Sequence, residues 1–439
     1  MERQYKDSGI EWIGRIPREW YVTKLFNLCT IKGRIGWNGL RSEEFKEISY
    51  AYLVTGQDFI SSEIRWAKCY QIDKERYDED PFIQLSNGDI LITKDGTIGK
   101  IAKVNNMDKP ACLNSGIFVL KQRKNTFVQN YLYWYLVSPI LLAYNSFVNS
   151  GGTTIMHLYQ NVFERFPLLI PPYSEQQRIA EYLDGKCGEI DALIALQEQM
   201  IAQLTDYKQS VITEAVTKGL NPDAQLVPSG IDWIGDVPKG WKVCRIKDIF
   251  RLRTGTTPKD FEQGLSSDAL VNWFTPSDVA EMNCELSTSE RHLSQEVIKK
   301  EGIELSPAGS LVFVGIGASA GKIGYATVEG YSNQQITMLI PKQNKCFGKY
   351  SYFYMIADRK RIRDNAFFTT LPIINNSYLS GIKTLQPPIS DQHAIAEYLD
   401  AKCSEIDRLI ETKRQKIDTL KEYKKSVIYE AVTGKTVII

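Results

Sequence analysis

The sequence predicts a mixed α/β (α+β) fold. Two domains are joined by two long antiparallel coiled-coil helices, and the whole forms a pseudo-twofold internal repeat. Three observations predict it. Ile179–Thr217 and Ile395–Thr433 agree at about two-thirds of positions at a constant offset of 216, and long-period repeats organise a fold before any local feature does. "SGIEWIGRIPREW" (Ser8–Trp20) returns as "SGIDWIGDVPKGW" (Ser229–Trp241) at an offset of 221. Between these markers lie two bodies, about 21–170 and 242–386, that share only a skeleton. "GDILITKDGTIGKIA" from Gly88 matches "GSLVFVGIGASAGKIG" from Gly309. A chain of 439 residues is too long for one ordinary core. The boundaries read as 1–172, first domain; 173–220, central helix; 221–388, second domain; and 389–439, distal helix.

Each element has a local reason. The Gly-rich stretches after "DILIT" and "SLVFV" read as turns between strands. Tyr131–Phe147, "YLYWYLVSPILLAYNSF", reads as a helix on the domain core; it is shorter than a membrane span and Pro139 interrupts it. Its counterpart from Tyr350 carries Asp358, Arg359, Lys360 and Arg361, which no span tolerates. Each repeated helix follows a double proline, Pro171-Pro172 or Pro387-Pro388, which favours a boundary. Ser174 with Gln177 matches a capping box, and Ser390 with His393 keeps half of it. The apolar stripe of the first helix runs Ile190, Ile194, Ile201, Leu204, Val211, with Gln197 and Lys208 in sequence. The second runs Ile406, Ile410, Ile417, Leu420, Val427, with Lys413 and Lys424 in sequence. Alternating steps of four and three make a coiled-coil seam. Each rod would be about 65 Å long at about 1.5 Å per residue, and each needs a partner, which the other copy supplies. Gly185 and Gly188 are expected to weaken or kink the first rod.

Composition narrows the classes. The 43% hydrophobic and 24% charged content is that of a soluble globular protein. Eight scattered cysteines without C-x-x-C read as reduced thiols, and "MERQYKDSGIEW" is too polar for a signal peptide, so a cytoplasmic protein is expected. Three histidines, His157, His292 and His393, make a metal site unexpected. The net charge of +1 decides nothing about nucleic acid, because binding needs a local basic surface. Lys413, Arg414, Lys416, Lys421, Lys424 and Lys425 crowd the second rod, as a solvated face or as something more.

Catalytic signatures are missing. "IPPYSE" at Ile170–Glu175 has Ile where an adenine methyltransferase loop carries Asn or Asp, so it reads as a helix start. "VGIGASAGK" is one residue too long for G-x-x-x-x-G-K and has Ile323 where a hydroxyl would hold magnesium. No G-x-S-x-G, H-E-x-x-H or spaced carboxylate cluster compels an enzyme.

"GDILITKDGTIGK", "GGTTIMHL", "IPPYSEQQRIAEYLD" and a long helix ending "SVITEAVTKG", then the arrangement again to "SVIYEAVTGK", form an ordered and duplicated set. Over nearly its full length the chain resembles the DNA-specificity subunit of type I restriction-modification systems. The resemblance implies that each body is a target-recognition domain reading one half of a bipartite site in double-stranded DNA. It implies that the paired helices separate the bodies and dock two methyltransferase subunits, with a motor-nuclease (restriction) subunit joining for cleavage. It also implies that the chain is noncatalytic and binds no cofactor. S-adenosylmethionine, ATP and Mg are expected on the partners. The alternative reading is a pseudo-dimeric coiled-coil scaffold without DNA contact. Two different readers on one rigid spacer suit a non-palindromic site with half-sites about one DNA turn apart. The Ser8–Trp20 segment should then pack near the end of the second rod, as Ser229–Trp241 follows the first.

Contact residues are sought among cations and polar groups in Gly-rich turns or at matched positions. In the first body these are Lys32, Arg34, Lys94, Thr97, Lys100, Thr153 and Thr154. In the second they are Arg253, Thr256, Lys259, Lys322, Thr369, Thr370 and Asn375. The Thr pairs could equally cap a helix. Trp37, Trp66 and Trp273 read as core packing before DNA stacking. Tyr207 and Tyr423 either face a methyltransferase or pack.

Overall fold

A computed structural model describes the chain apart from residues 1–2, 35–39, 61, 124–126, 149–157, 260–270, 282–283, 365–366, 369–371 and 439. The chain divides into two compact units, Met1–Glu198 with Arg414–Ile439, and Gln199–Lys413. Each unit holds one body and half of each long helix, so the division cuts across the helices and not between them and the bodies.

In the first unit, four antiparallel strands run Ile101–Lys103, Ile90–Thr93, Ile117–Gln122, Cys29–Gly33 across one sheet. Every residue of "ILIT" is buried, because both faces are covered. Ile90, Ile92, Phe118 and Leu120 face the core that contains the helices, while Leu91, Ile117 and Val119 face a second core. That two-sided burial follows from the period of two along a strand. The second core is completed by Ala51–Val54, which pairs parallel with Ala111–Leu113 and antiparallel with Tyr70–Ile72. The apolar segment after Gln129 forms two helices, Gln129–Val137 and Pro139–Val148, broken at the proline.

The second unit repeats the plan. Its sheet runs Phe250–Thr254, Ile336–Pro341, Leu311–Val314, Ile323–Ala326, Glu285–Leu286. Leu311, Phe313 and Leu339 face the helices, and Val312, Val314 and Met338 face the other way. One helix, Gly348–Asp364, lies where the first unit has two.

The first rod is a single helix, Tyr173–Lys218, and the second is Ile389–Val432. Within each unit the two rod segments run antiparallel. In the first unit, Ile179, Leu183 and Cys187 from the start of one rod share a core with Val427, Ile428 and Val432 from the end of the other. In the second unit, Val211, Ile212 and Val216 meet Ile395, Leu399 and Cys403. Lys424 Nζ lies 2.7 Å from Asp191 Oδ1 in the first unit. Lys208 Nζ lies 2.7 Å from Asp407 Oδ1 in the second. The offset of 216 converts each pair into the other.

The first rod differs from expectation in two places. It runs unbroken through Gly185 and Gly188, and a Cβ at either would meet nothing within 4 Å. The capping box is not formed. The helix starts at Tyr173, Ser174 and Gln177 are exposed, and the Pro172 carbonyl accepts from Glu175 N and Gln176 N. The first turn is tied down by tertiary bonds instead. Trp20 Nε1 donates to Glu175 Oε2 at 2.9 Å, and Gln176 Oε1 accepts from Val128 N at 2.8 Å.

The second rod starts with the same fittings. Trp241 Nε1 donates to Asp391 Oδ2 at 3.3 Å, and Phe347 N donates to Gln392 Oε1 at 2.7 Å. One buried tyrosine per unit reaches a rod. Tyr131 Oη donates to Val432 O at 3.5 Å as well as to Leu169 O at 2.8 Å, and Tyr350 Oη donates to Val216 O at 3.0 Å. Tyr135 and Tyr354 donate within the bodies, to the carbonyls of Pro167 and Lys383.

The opening segment packs on the end of the second rod as expected. Tyr429 Oη donates to Trp12 O at 3.1 Å, and Tyr5 Oη to Gly434 O at 3.2 Å. Gly434 has φ +69°, and a Cβ there would lie 2.5 Å from Pro17 Cγ, so only glycine fits. Gly219, at φ +74°, ends the first rod against Pro238 and Trp241 in the same way.

Candidate nucleic-acid interface

In the first unit, Lys94, Thr97 and Lys100 share one turn between Ile90–Thr93 and Ile101–Lys103. Thr93 shapes it. Its Oγ1 donates to Thr97 O at 2.5 Å and accepts from Lys100 N at 3.0 Å. Thr97 and Lys100 are exposed, whereas Lys94 Nζ lies 5.1 Å over the Phe118 ring. Thr97 and Lys100 line a cleft of about 520 Å³ together with Gln57, Tyr70 and Asn114.

Gln57 sits in a turn closed by Asp58, whose Oδ2 accepts from Thr55 N at 2.7 Å and Thr55 Oγ1 at 2.8 Å. The second unit builds the same turn. Asp278 Oδ2 accepts from Thr275 N at 2.7 Å and Thr275 Oγ1 at 2.8 Å. Asn114 and Asn333 close the third side, donating their backbone N–H to Val54 O and Phe274 O. Each unit therefore brings three turns to one edge: T-x-x-D, the Gly-Lys turn, and an Asn turn. Among the described residues, the side-chain amide of Gln57, the Nδ2 of Asn114 and the Nζ of Lys100 have no hydrogen-bond partner. In the second unit the Asn333 amide is occupied, Ser277 stands at the position of Gln57, and Gln334 and Gln335 accept through Oε1. Asn333 Nδ2 donates to Gln335 Oε1 at 3.1 Å, and Thr257 Oγ1 donates to Gln334. The doubled T-x-x-D, Thr55–Asp58 and Thr275–Asp278, is visible in the sequence and was not singled out there.

The remaining candidates scatter. Lys32 lies on Cys29–Gly33 with Nζ 5.3 Å from the Phe82 ring centroid. Arg34 is corrected to a buried residue. It is 2% exposed, and its Nε donates to Leu113 O at 3.0 Å, so its guanidinium is turned into the protein. Arg253 is also occupied, by Ser306 Oγ and by Glu304 at 3.1 Å. Hydrogen bonds from Arg251 and Arg253 hold the Glu304 carboxyl below its ordinary range. Thr256 is exposed beside the Asn turn, its N–H donating to Ser332 O at 2.8 Å. Lys259 is exposed. Lys322 reaches Glu281 at 3.7 Å. Asn375 is a helix N-cap, accepting from Tyr378 N at 2.8 Å, so its carbonyl oxygen is spent on the fold. Thr153, Thr154, Thr369, Thr370, Trp37 and His157 lie outside the described residues. Trp66 and Trp273 pack inside, donating to Asn105 O at 2.9 Å and Thr256 O at 3.3 Å.

On the rods, Ile190, Val211, Ile406, Ile410, Ile417 and Val427 are buried, and Ile194, Ile201, Leu204 and Leu420 are half-buried. Of the basic run, Lys424 pairs across to Asp191 and Lys425 along the helix to Glu422. Tyr207 and Tyr423 are exposed, as are Leu193 and Leu409. Each unit thus displays one such Tyr and one such Leu from opposite rods.

All eight cysteines are free thiols. Burial pushes Cys29 and Cys346 up to about 12, which leaves them unreactive near neutrality. Among the described residues, no group of three or more His, Cys, Asp or Glu could hold a metal ion, and no helix is long and apolar enough to cross a membrane.

The profile of the type I restriction modification DNA specificity domain matches residues 17–206 and again 238–422. The MjaVIII type I restriction enzyme specificity subunit of Methanocaldococcus jannaschii is 26% identical, over 96% of this chain and 94% of its own length. The putative MjaX type I specificity subunit of the same organism is 24% identical, over 98% and 97%. A chain from a solved type I R-M system superposes with TM-score 0.74 at 15% identity, over 96% of this chain and 99% of that one. The HsdS subunit from Thermoanaerobacter tengcongensis superposes with TM-score 0.52 at 15% identity, over 96% and 98%. These likenesses carry the fold of two mixed α/β domains.

Proposed function

We propose, for a chain that belongs to the type I restriction-modification DNA specificity family, that it is a noncatalytic reader of a bipartite double-stranded DNA site. It directs adenine methylation by two partner methyltransferase subunits, and cleavage where a restriction subunit joins. The chain works in the cytoplasm and binds no cofactor. S-adenosylmethionine, ATP and Mg belong to its partners. The rods form a pseudo-twofold antiparallel coiled coil that spaces two readers.

The observation that carries this reading is the doubled edge of three turns. Turns are built to hold side chains outward on a rigid sheet. The first unit leaves the Gln57 amide, the Asn114 Nδ2 and the Lys100 cation open in one cleft, while Asn114 Oδ1 accepts from Ser115 N at 2.8 Å. Asn and Gln amides pair bidentately with adenine in the major groove, and Lys serves guanine or phosphate. The second unit presents different side chains on the same frame, as a second reader of a different sequence would. The matched exposed pairs, Leu193 with Tyr423 and Leu409 with Tyr207, support one docking face per unit for a partner subunit.

The test is a methylated-adenine map of host DNA, with the wild-type chain, without it, and with Gln57→Ala plus Asn114→Ala. A chain-dependent split motif is expected, and the double variant should relax or abolish one half of it. Methylation that does not depend on the chain, while the methyltransferase is active, would refute the reading.

A further inference from the structure

In the second unit, three cations converge on one carboxylate. Arg359 Nη2 lies 2.6 Å from Glu281 Oε1, Arg363 Nη1 3.5 Å from the same oxygen, and Lys322 Nζ 3.7 Å from Oε2. Arg359 also donates to the carbonyls of Gly321, at 3.1 Å, and of Glu281. The group borders a cleft of about 650 Å³, where Lys360 adds a fourth cation and Asp364 a second carboxylate. Arg361 stands apart, paired with Asp358. Positive charge therefore exceeds negative charge at this spot.

Glu281 is open to exchange. Its side chain is 61% exposed, and exposed ion pairs add little stability. A phosphodiester offers the same two-oxygen face with a full negative charge, and arginine forks match it. Arg359 and Lys322 are the better enclosed cations, at 12% and 24% exposure, and Arg363 is half-exposed. Gly321 has φ +86°, and a Cβ on it would lie 2.3 Å from Arg363 Cγ, so a glycine there lets the arginine lie against the turn.

The first unit lacks the arrangement. Lys100 corresponds to Lys322 in the Gly-Lys turn. The positions corresponding to Arg359 and Arg363, aligned on Tyr131 and Tyr350, are Ile140 and Tyr144. Both are buried, at 1% and 8% exposure.

We infer that Lys322, Arg359 and Arg363 form a phosphate clamp peculiar to the second domain. It takes one phosphodiester of the DNA backbone, and Glu281 is the built-in occupant that the phosphate displaces. The inference rests on the DNA-reading function proposed above. The clamp adds sequence-independent hold on one side of the site, and Glu281 restrains that hold on unrelated DNA.

The experiment uses the full chain assembled with its methyltransferase subunits, binding target and unrelated duplexes over a range of salt. Arg363→Gln should weaken both duplexes several-fold and make the slope of log K against log salt shallower by about one. Glu281→Gln should tighten both several-fold without altering the methylated motif. Thermal unfolding of each variant checks its fold, and Glu281→Gln, at an exposed position, decides the matter if Arg363→Gln does not fold. An unchanged slope in a folded Arg363→Gln complex, or weaker binding by Glu281→Gln, would make the network a structural staple and overturn the clamp. A wild-type complex without salt-sensitive DNA binding would refute the reader function itself.

Discussion

Lys208 and Lys424 occupy matched positions, yet only Lys208 is fully enclosed. Its side chain is 2% exposed against 25% for Lys424. The difference decides what each ion pair is worth. Removing Asp407 leaves a buried ammonium without its partner, a loss of about 3 kcal/mol where burial is complete. Removing Asp191 breaks a pair that water already screens, worth about 0–1 kcal/mol. Chemical denaturation should therefore find Asp407→Ala clearly more damaging than Asp191→Ala. Lys208→Met combined with Asp407→Asn should recover most of the loss. Equal effects from the two aspartates would contradict the burial argument. The sequence placed both lysines in the seam but not their aspartates, because an interhelical partner lies on the other helix and leaves no periodic trace on its own. Arg34 failed for a related reason. A glycine-rich neighbourhood made it look presented, while the Leu113 carbonyl that draws it inward is distant in sequence.

At the level of single elements, the rods were the most legible part. A stripe sustained over many turns outweighs local preference. For that reason Gly185 and Gly188 produce no break. Leu183, Cys187 and Ile190 around them are buried and hold the helix in place. The capping box failed because short patterns lose to tertiary bonds, here those of Trp20 and Val128. The glycines still carry their entropic cost. Gly185→Ala copies Ala401 of the other rod and meets nothing. It should raise stability by about 1 kcal/mol, seen as a higher thermal midpoint. A fall would mean that the glycine serves a contact outside this chain.

For the whole molecule, the frame was readable and the bodies were not. Two diverged inserts share too few residues to reveal which turns converge, and Thr55–Asp58 with Thr275–Asp278 became meaningful only once folded. What the bodies share is their attachment. Trp241, Phe347 and Tyr350 bond the second body's unit to its rod segments, and Trp20, Val128 and Tyr131 do the same in the first. Exchanging residues 242–386 for those of a relative that keeps these anchors should change one half of the methylated motif and leave the other intact. A change in both halves would show that the bodies do not read independently.

The joint around Gly434 has a consequence for how the chain is made. Val427, Ile428, Ala431 and Val432 belong to the core of the unit that begins at Met1. The ribosome delivers them after the whole of the other unit. The other unit is one uninterrupted stretch, Gln199–Lys413, and has all its parts earlier. Domains usually finish in the order of synthesis. Here the order is inverted: the body before the first rod emerges ahead of the second body and matures after it, its apolar seat open until the second rod leaves the exit tunnel.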